Sequence, residues 1–340
     1  MENELIKVAI KYYYDLDVDK IEKIGHSSTD CYVIICNNKK YFVKVFDKHK
    51  ETSKIQQEYY LLKILKENGF LVPEIIRAKN KEIYIGFSEY YMFIEKYLSG
   101  YSCAELDISD DILLKSSTLL GKMHRLLNNK YDDENKEYYW NNPNIEDERI
   151  FLNSVVEAIN REKADERIRL LRASVENKQN KIYRLKEMSN MFHGITYLMS
   201  HGDYSKRNLL CDSSNNIMIV DFSDSGVFSA SCELIRSYFY STESCKNGKI
   251  FDYDLFYKYI EAYSNEFRLD DKDIELMPYL FLYQILISRY GYKEYLQSKD
   301  KKLIDYIKWK DNILFFLENN ADAIVKKIKM CYNQTVNKNK

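Results

Sequence analysis

The sequence has few residues that break or constrain a regular backbone. Its 340 residues include only three prolines and ten glycines, and they contain no internal repeat and no low-complexity tract. The seven cysteines are odd in number and scattered, and no CxxC pair occurs. We therefore expect neither a disulfide framework nor a structural zinc site, but free thiols in a reducing cytoplasm.

The chain also lacks an excess of either charge and any long apolar run. With 51 basic and 52 acidic residues the net charge is −1, which gives no reason to expect nucleic acid or an anionic membrane as partner. The N-terminal segment mixes charges with apolar residues and shows no signal-peptide pattern, which again favours a cytoplasmic protein. The apolar content of 45% is ample for a folded core.

The first hundred residues predict a small sheet with one long helix. A short amphipathic helix at 2–14 precedes two β-rich runs, Cys31–Cys36 and Tyr41–Phe46, which the polar residues 37–40 join as a hairpin. Residues 52–68 have helical periodicity. A second hairpin is predicted from Ile83–Phe87 and Tyr91–Glu95.

The remainder of the chain reads mainly as helix. A helix is predicted at 110–128, the regions 146–190 and 231–330 read as helical, and only 201–222 interrupts this pattern with two short strands. A hinge near 95–100 would separate the two parts. The predicted division is therefore a nucleotide-binding lobe at 1–98 and a catalytic and substrate-binding lobe at 99–340.

One run of the sequence suggests a reaction. The residues HGDYSKRN begin at His201, and IVDF follows after a short gap, so that Asn208 lies five residues after Asp203 and Asp221 thirteen after Asn208. This spacing is typical of folds that place a catalytic base and two magnesium ligands on adjacent hairpin strands. The alternative is a hairpin with acidic residues placed there by chance.

A second pair of residues lies upstream. Lys44 stands inside the apolar strand YFVKVF, and Glu58 lies in the helix that follows. Burial of an ammonium is costly unless it is paired, and a strand lysine held by a helix glutamate is how kinases reach the nucleotide phosphates. An edge-strand lysine that points to solvent is the other interpretation.

Together these motifs resemble the aminoglycoside phosphotransferase and choline kinase superfamily. The matching segments extend from about Ile24 to Phe239 and include IGHSSTDCYVI, FVKVF, QQEYYLLKIL, GFLVPEII, MFIEKYLSG, LGKMHRL, HGDYSKRN and IVDF. The resemblance implies an α+β, bilobal protein-kinase-like fold. A small antiparallel sheet with one long helix would form the N-lobe, and a larger, mainly helical C-lobe would follow.

The resemblance also implies roles for individual residues. Asp203 would be the base, Asn208 and Asp221 the magnesium ligands, Lys44 the phosphate anchor and Glu58 its orienting partner. Backbone groups around Glu95, Tyr97 and Leu98 would bind adenine, and Glu233 would brace the catalytic loop.

The nucleotide loop departs from a glycine-rich pattern. It contains only Gly25, and Ser27 and Ser28 would then supply hydroxyl and amide donors to the phosphates. Lys206 would stabilise the transferred phosphate, although a surface role is an equal alternative.

The predicted function is transfer of the γ-phosphate from ATP or GTP, with Mg²⁺, to a hydroxyl of a small molecule such as an aminoglycoside, another amino alcohol or a sugar. The first alternative is a non-catalytic kinase-like binding protein, as in spore-coat relatives. A protein kinase ranks third because the sequence has HGD, DFSDSG and no APE segment. The protein would be a monomer or homodimer.

The charge of the substrate stays open. Residues 131–148 hold seven acidic residues and one lysine, which could attract a cationic substrate or simply form a solvated loop.

Overall fold

The computed structural model describes residues 3–24, 29–48, 52–105, 108–128 and 144–338, with side chains up to residue 330. Its helices are α1 (Asn3–Tyr14), α2 (Thr52–Glu67), α3 (Asp110–Leu127), α4 (Ile145–Asn160), α5 (Glu166–Gln179), α6 (Leu185–Met191), α7 (Ala230–Thr242), α8 (Tyr253–Ser264), α9 (Asp271–Ile287), α10 (Tyr292–Ser298) and α11 (Lys301–Lys338). Its strands are β1 (Lys20–Ile24), β2 (Asp30–Cys36), β3 (Lys39–Asp47), β4 (Ile75–Ile76), β5 (Ile85–Phe87), β6 (Tyr90–Lys96), β7 (Tyr101–Ser102), β8 (Tyr197–Ser200), β9 (Leu209–Cys211), β10 (Ile217–Ile219) and β11 (Gly226–Ser229).

The chain divides into two compact units. The first contains residues 1–107 and 206–225, and the second contains 108–205 and 226–340. The segment that follows the HGD motif is thus grouped with the N-terminal unit, whereas the sequence suggested one boundary between residues 98 and 99. The assignment of 1–98 and 99–340 as functional lobes stays a prediction.

An antiparallel sheet dominates the first unit. Its strands follow the order β1-β2-β3-β6-β4, and β5 also pairs with β6. The turn between β2 and β3 is tighter than the four residues predicted, because β3 already begins at Lys39. Asn37 and Asn38 both have positive φ, 49° and 62°, the conformation that a two-residue hairpin turn requires and asparagine tolerates.

The core of the first unit lies between this sheet and α1. Alternate residues of β2 are buried, among them Ile34, as period-2 alternation predicts, whereas β3 buries four consecutive residues from Val43 to Phe46. From α1, Ile6 and Ile10 are fully buried against them, four residues apart on one face. A three-stranded sheet in the order β10-β9-β7 completes this unit.

The second unit is mainly helical. The region 146–190 is not one helix, because Arg161 ends α4 and Asp165 caps the start of α5 through its side chain. Strands β8 and β11 form a two-stranded antiparallel sheet that the sequence did not predict. Aromatic rings in tilted contact with one another, such as Phe239, Phe251 and Phe281, are buried in the core of this unit.

The predicted α+β class, an antiparallel sheet with a mainly helical second part, is confirmed. Within the part of the chain that the structure describes, no helix is long and apolar enough to cross a membrane.

Candidate active site

Lys44 lies at the centre of a buried charge cluster in the first unit. Its Nζ is 2.6 Å from Glu58 Oε1, 3.3 Å from Asp221 Oδ1 and 4.0 Å from Glu95 Oε1. The side chains of Lys44, Glu58 and Glu95 are at most 5% exposed, whereas Asp221 is 51% exposed. One cation therefore faces three carboxylates, and only one of these is open to solvent.

The local sequence explains this arrangement. In the register of β3, Lys44 pairs with Cys31 on β2 and Phe93 on β6, so it occupies a central strand. The edge-strand alternative is therefore wrong. Glu58 lies on the buried face of α2, one turn after Ile55 and one turn before Leu62.

The pKa values follow from burial and from this excess of negative charge. Burial alone would lower the pKa of Lys44, but the carboxylates of Glu58, Glu95 and Asp221 outweigh it and raise the pKa above its usual range. Burial, together with the neighbouring carboxylates, raises the pKa of Glu95 to about 7, although Lys44 opposes the shift. Lys44 thus stays a cation at neutral pH.

Glu95 enters the cluster through its side chain. The resemblance implied only a contact from the Glu95 backbone to adenine. Glu95 lies on β6, where it pairs with Phe42 of β3 and with Ile75 of β4. A carboxylate inside the apolar strand MFIEK was the available signal for this role, since such a group needs a partner when buried.

Asn208 and Asp221 flank the hairpin of β9 and β10. The Val220 N–H donates to the Asn208 carbonyl at 3.0 Å, which places the residue before β9 beside the segment that follows β10. Asp221 has a positive φ of 62°, and its Oδ1 accepts from Ser223 Oγ at 2.8 Å. The segment after it is tied to α2, because Gln57 Nε2 donates to the Ser225 carbonyl at 2.6 Å.

An amide oxygen and a carboxylate at this hairpin fit magnesium. Among the described residues, no group of three or more His, Cys, Asp or Glu side chains could hold a metal by itself. Mg²⁺ commonly uses one or two protein oxygens and completes its shell with water and phosphate. Asn208 and Asp221 therefore suit a nucleotide-bound Mg²⁺ better than a metal that needs a complete protein cage.

In the second unit, Asp203 lies in a tightly held loop after β8. The preceding residue, Gly202, has a φ of +84°, a left-handed conformation that favours glycine. The Gly202 N–H donates to Glu233 Oε1 at 2.6 Å, and Glu233 Oε2 is 2.8 Å from His124 Nε2. The Asp203 N–H donates to His201 Nδ1 at 3.2 Å, and the His201 ring is fully buried.

Glu233 has the contacts of a bracing residue. Burial alone would raise the pKa of its carboxyl, but His124, His201 and the Gly202 N–H outweigh burial and hold that pKa below its ordinary value. The ionised carboxylate, with 4% of the residue exposed, thus links the first turn of α7 to the loop that carries Asp203.

Sequence reasoning missed Arg236, one turn after Glu233 on α7. Its Nη1 donates to the Gly202 carbonyl at 3.1 Å, and its Nη2 forms an ion pair with Asp203 Oδ1. An arginine within the largely apolar run SCELIRSYF was the signal, because a buried guanidinium requires acceptors.

The remaining candidate residues have fewer contacts that bear on their predicted roles. Tyr97 and Leu98 follow the end of β6 and are partly exposed, with the Lys40 Nζ 5.4 Å from the centre of the Tyr97 ring. Lys206 begins a short 3₁₀ turn that ends at Asn208 and is half-buried. Ser27 and Ser28, like the acidic residues at 131–143, lie outside the described residues.

Comparison with known proteins gives a consistent picture. The profile of the family described as "Phosphotransferase enzyme family" matches residues 20–248. Among curated proteins, none matches the chain.

Three solved structures share the fold. An aminoglycoside phosphotransferase from Alicyclobacillus acidocaldarius is 12% identical with a TM-score of 0.65, covering 97% of this chain and 98% of its own. A microcompartment-associated aminopropanol kinase is 13% identical with a TM-score of 0.63, at 95% and 99% coverage. A spectinomycin phosphotransferase in complex with ADP and spectinomycin is 14% identical with a TM-score of 0.54, at 94% and 99% coverage.

Proposed function

The chain belongs to the phosphotransferase enzyme family, and on this basis we propose that it transfers the γ-phosphate of ATP to a hydroxyl group of a small molecule. The observation that carries the proposal is the buried cluster of Lys44 with Glu58, Glu95 and Asp221. A lysine fixed in this way presents a permanent positive charge, which a kinase uses to hold nucleotide phosphates.

Each part of the reaction has a candidate residue. Lys44 binds the phosphate chain, and Glu58 orients Lys44. Asp203 accepts the proton of the acceptor hydroxyl as that oxygen attacks phosphorus. Lys206 neutralises charge on the transferred phosphate, and Glu95, Tyr97 and Leu98, with Ser27 and Ser28, contribute to the nucleotide site.

Asn208 and Asp221 would hold Mg²⁺. The ion, when bound with the nucleotide, neutralises negative charge on the phosphates. Asp221 also accepts from Lys44 Nζ and Ser223 Oγ, and these two donors orient the carboxylate that would hold the ion.

The acceptor class is proposed from the structural neighbours. Two of the similar structures are those of an aminopropanol kinase and a spectinomycin phosphotransferase. They suggest that the acceptor is a hydroxyl group of an amino alcohol or an aminocyclitol. The cysteines among the described side chains are free thiols, which supports a reducing compartment, the cytoplasm, as the site of action.

The test is ATP consumption by the purified protein with Mg²⁺ across aminoglycosides, amino alcohols and sugars, with Asp203→Asn as control. We expect acceptor-dependent ADP formation that Asp203→Asn abolishes while ATP still raises the melting temperature of the variant. ATP binding without turnover of any acceptor would instead favour the non-catalytic binding protein. Absence of both binding and turnover would contradict the proposal.

A further inference from the structure

Glu233 and Arg236 hold the peptide unit of Gly202 from both ends. They lie three residues apart on α7, so both side chains leave the same face of the helix. Glu233 accepts the Gly202 N–H at 2.6 Å, and Arg236 donates to the Gly202 carbonyl at 3.1 Å. The backbone immediately before Asp203 is therefore fixed by one anion and one cation.

Arg236 makes a second contact that Glu233 cannot make. Its Nη2 pairs with Asp203 Oδ1 while Nη1 holds the carbonyl of the preceding residue. The two nitrogens belong to one rigid, planar guanidinium, so the carboxylate and the backbone are fixed relative to each other.

The guanidinium is itself held in place. Its side chain is only 14% exposed, and its Cζ lies 4.7 Å from the centre of the Tyr240 ring on the next turn of α7. Burial alone would lower the pKa of Arg236, but the Asp203 carboxylate raises it, so the group stays charged.

We propose that Arg236 is a positioning residue for phosphoryl transfer, which orients the Asp203 carboxylate toward the acceptor hydroxyl through a two-point contact with Gly202 and Asp203. The proposal rests on the proposed function, since it presumes that Asp203 is the base. Orientation matters because a displacement of about 1 Å in a catalytic group can cost about 100-fold in rate.

Two substitutions separate charge from geometry. Arg236→Lys keeps a positive charge at this position but loses the planar guanidinium that makes two contacts at once. Arg236→Ala removes the charge as well as the two contacts. A small cavity beside the guanidinium, lined by Phe228, Cys232 and Gln284, would be enlarged in the alanine variant and could admit a guanidinium ion. The matched control is Arg149→Ala, which removes an arginine of the same unit that is 60% exposed and pairs only with the neighbouring Glu146 among the contacts seen.

The experiment measures kcat and KM for ATP in the wild type, the two Arg236 variants, Arg149→Ala and Asp203→Asn, with melting temperatures as a check on folding. We expect kcat to fall by about 100-fold in Arg236→Lys and Arg236→Ala with little change in KM. Added guanidinium chloride at non-denaturing concentration should restore part of the turnover of Arg236→Ala, but none of that of Asp203→Asn. Arg149→Ala should behave as the wild type.

The outcomes are distinct. If the wild type turns over an acceptor and Arg236→Lys retains its kcat, the positioning role is overturned while the proposed function stands. If Arg236→Ala fails to fold, Arg236→Lys alone decides between these results. If the wild type phosphorylates no acceptor, the proposed function fails and the role of Arg236 fails with it.

Discussion

Lys44 on β3 and Glu58 on α2 form an ion pair with 2.6 Å between Nζ and Oε1, and each side chain is only 3% exposed. A buried pair of this kind is costly to break, because removal of one partner leaves the other charge unpaired in the protein interior, where water cannot solvate it. In this chain the pair also fixes the lysine that we assign to the nucleotide phosphates.

Replacement of Lys44 by methionine should remove the phosphate anchor. We expect kcat/KM for ATP to fall by about 100-fold or more, the effect typical of removing one preorganised donor from charged transition-state oxygens. Steady-state kinetics on purified protein measures the change. Lys39→Met is the matched control, since Lys39 lies exposed at the start of the same strand, and an unchanged value for Lys44→Met would contradict the assignment.

Replacement of Glu58 by glutamine should destabilise the fold and weaken ATP binding together. The neutral amide lowers the attraction for Lys44, which retains Asp221 and Glu95, so we expect a loss of about 2 kcal/mol in the free energy of unfolding. Urea denaturation measures this loss. In the double variant Lys44→Met/Glu58→Gln the loss should be smaller than the sum of the single losses, and strict additivity would argue against coupling.

Lys178 provides a pH dependence in the second unit. Burial lowers its pKa from the ordinary value of 10.5 to about 8, although Asp311 and Glu148 oppose the shift. The folded state thus binds this proton less tightly than the unfolded chain, so stability rises with pH between about 8 and 10.5. Below about pH 8 Lys178 is protonated in both states, and the destabilising effect of its buried charge is then fully present.

The check is urea denaturation of the wild type and Lys178→Met at several pH values from 7 to 10. The difference between the two free energies of unfolding should move in favour of the wild type as the pH rises, by up to about 3 kcal/mol over the full range. Lys178 Nζ also donates to the carbonyls of Ile285 and Ser288, so the variant loses a constant amount as well. A difference independent of pH would show that Lys178 titrates normally.

Gly121 in the LGKMHRL segment is needed for close packing. A Cβ there would lie 2.6 Å from the Tyr263 carbonyl oxygen and 3.0 Å from Glu266 Cβ, so α3 and the end of α8 would have to separate. We expect Gly121→Ala to cost about 1–3 kcal/mol, despite the better helix propensity of alanine. Thermal unfolding tests this, with Lys115→Ala on the exposed face of α3 as control, and a stabilised Gly121→Ala would contradict the packing.

Much of the fold could be predicted from local pattern. The β-branched and aromatic runs of β2 and β3 and the helical periodicity of α1 and α2 predicted these elements, and the structure has them within a residue or two. The break at 161–165 was missed because it needs no proline or glycine, only a capping aspartate at Asp165.

The parts of the site that could be predicted are those in which the separation of two residues along the sequence indicates that they meet in the fold. The pairing of Lys44 with Glu58 and the hairpin between Asn208 and Asp221 connect residues whose elements the sequence already indicated. The Glu95 side chain and Arg236 act through contacts that depend on strand register and helix orientation. Their only signal was a charge within an apolar run.

Detection of the product gives the sharpest test of phosphoryl transfer. With ATP, Mg²⁺ and an accepted amino alcohol or aminocyclitol, mass spectrometry should find an acceptor that has gained one phosphoryl group, in an amount equal to the ADP formed. Asp203→Asn should give no such product while ATP still raises its melting temperature. ADP formed with inorganic phosphate alone, or an equal yield of product from Asp203→Asn, would contradict a kinase that uses Asp203 as its base.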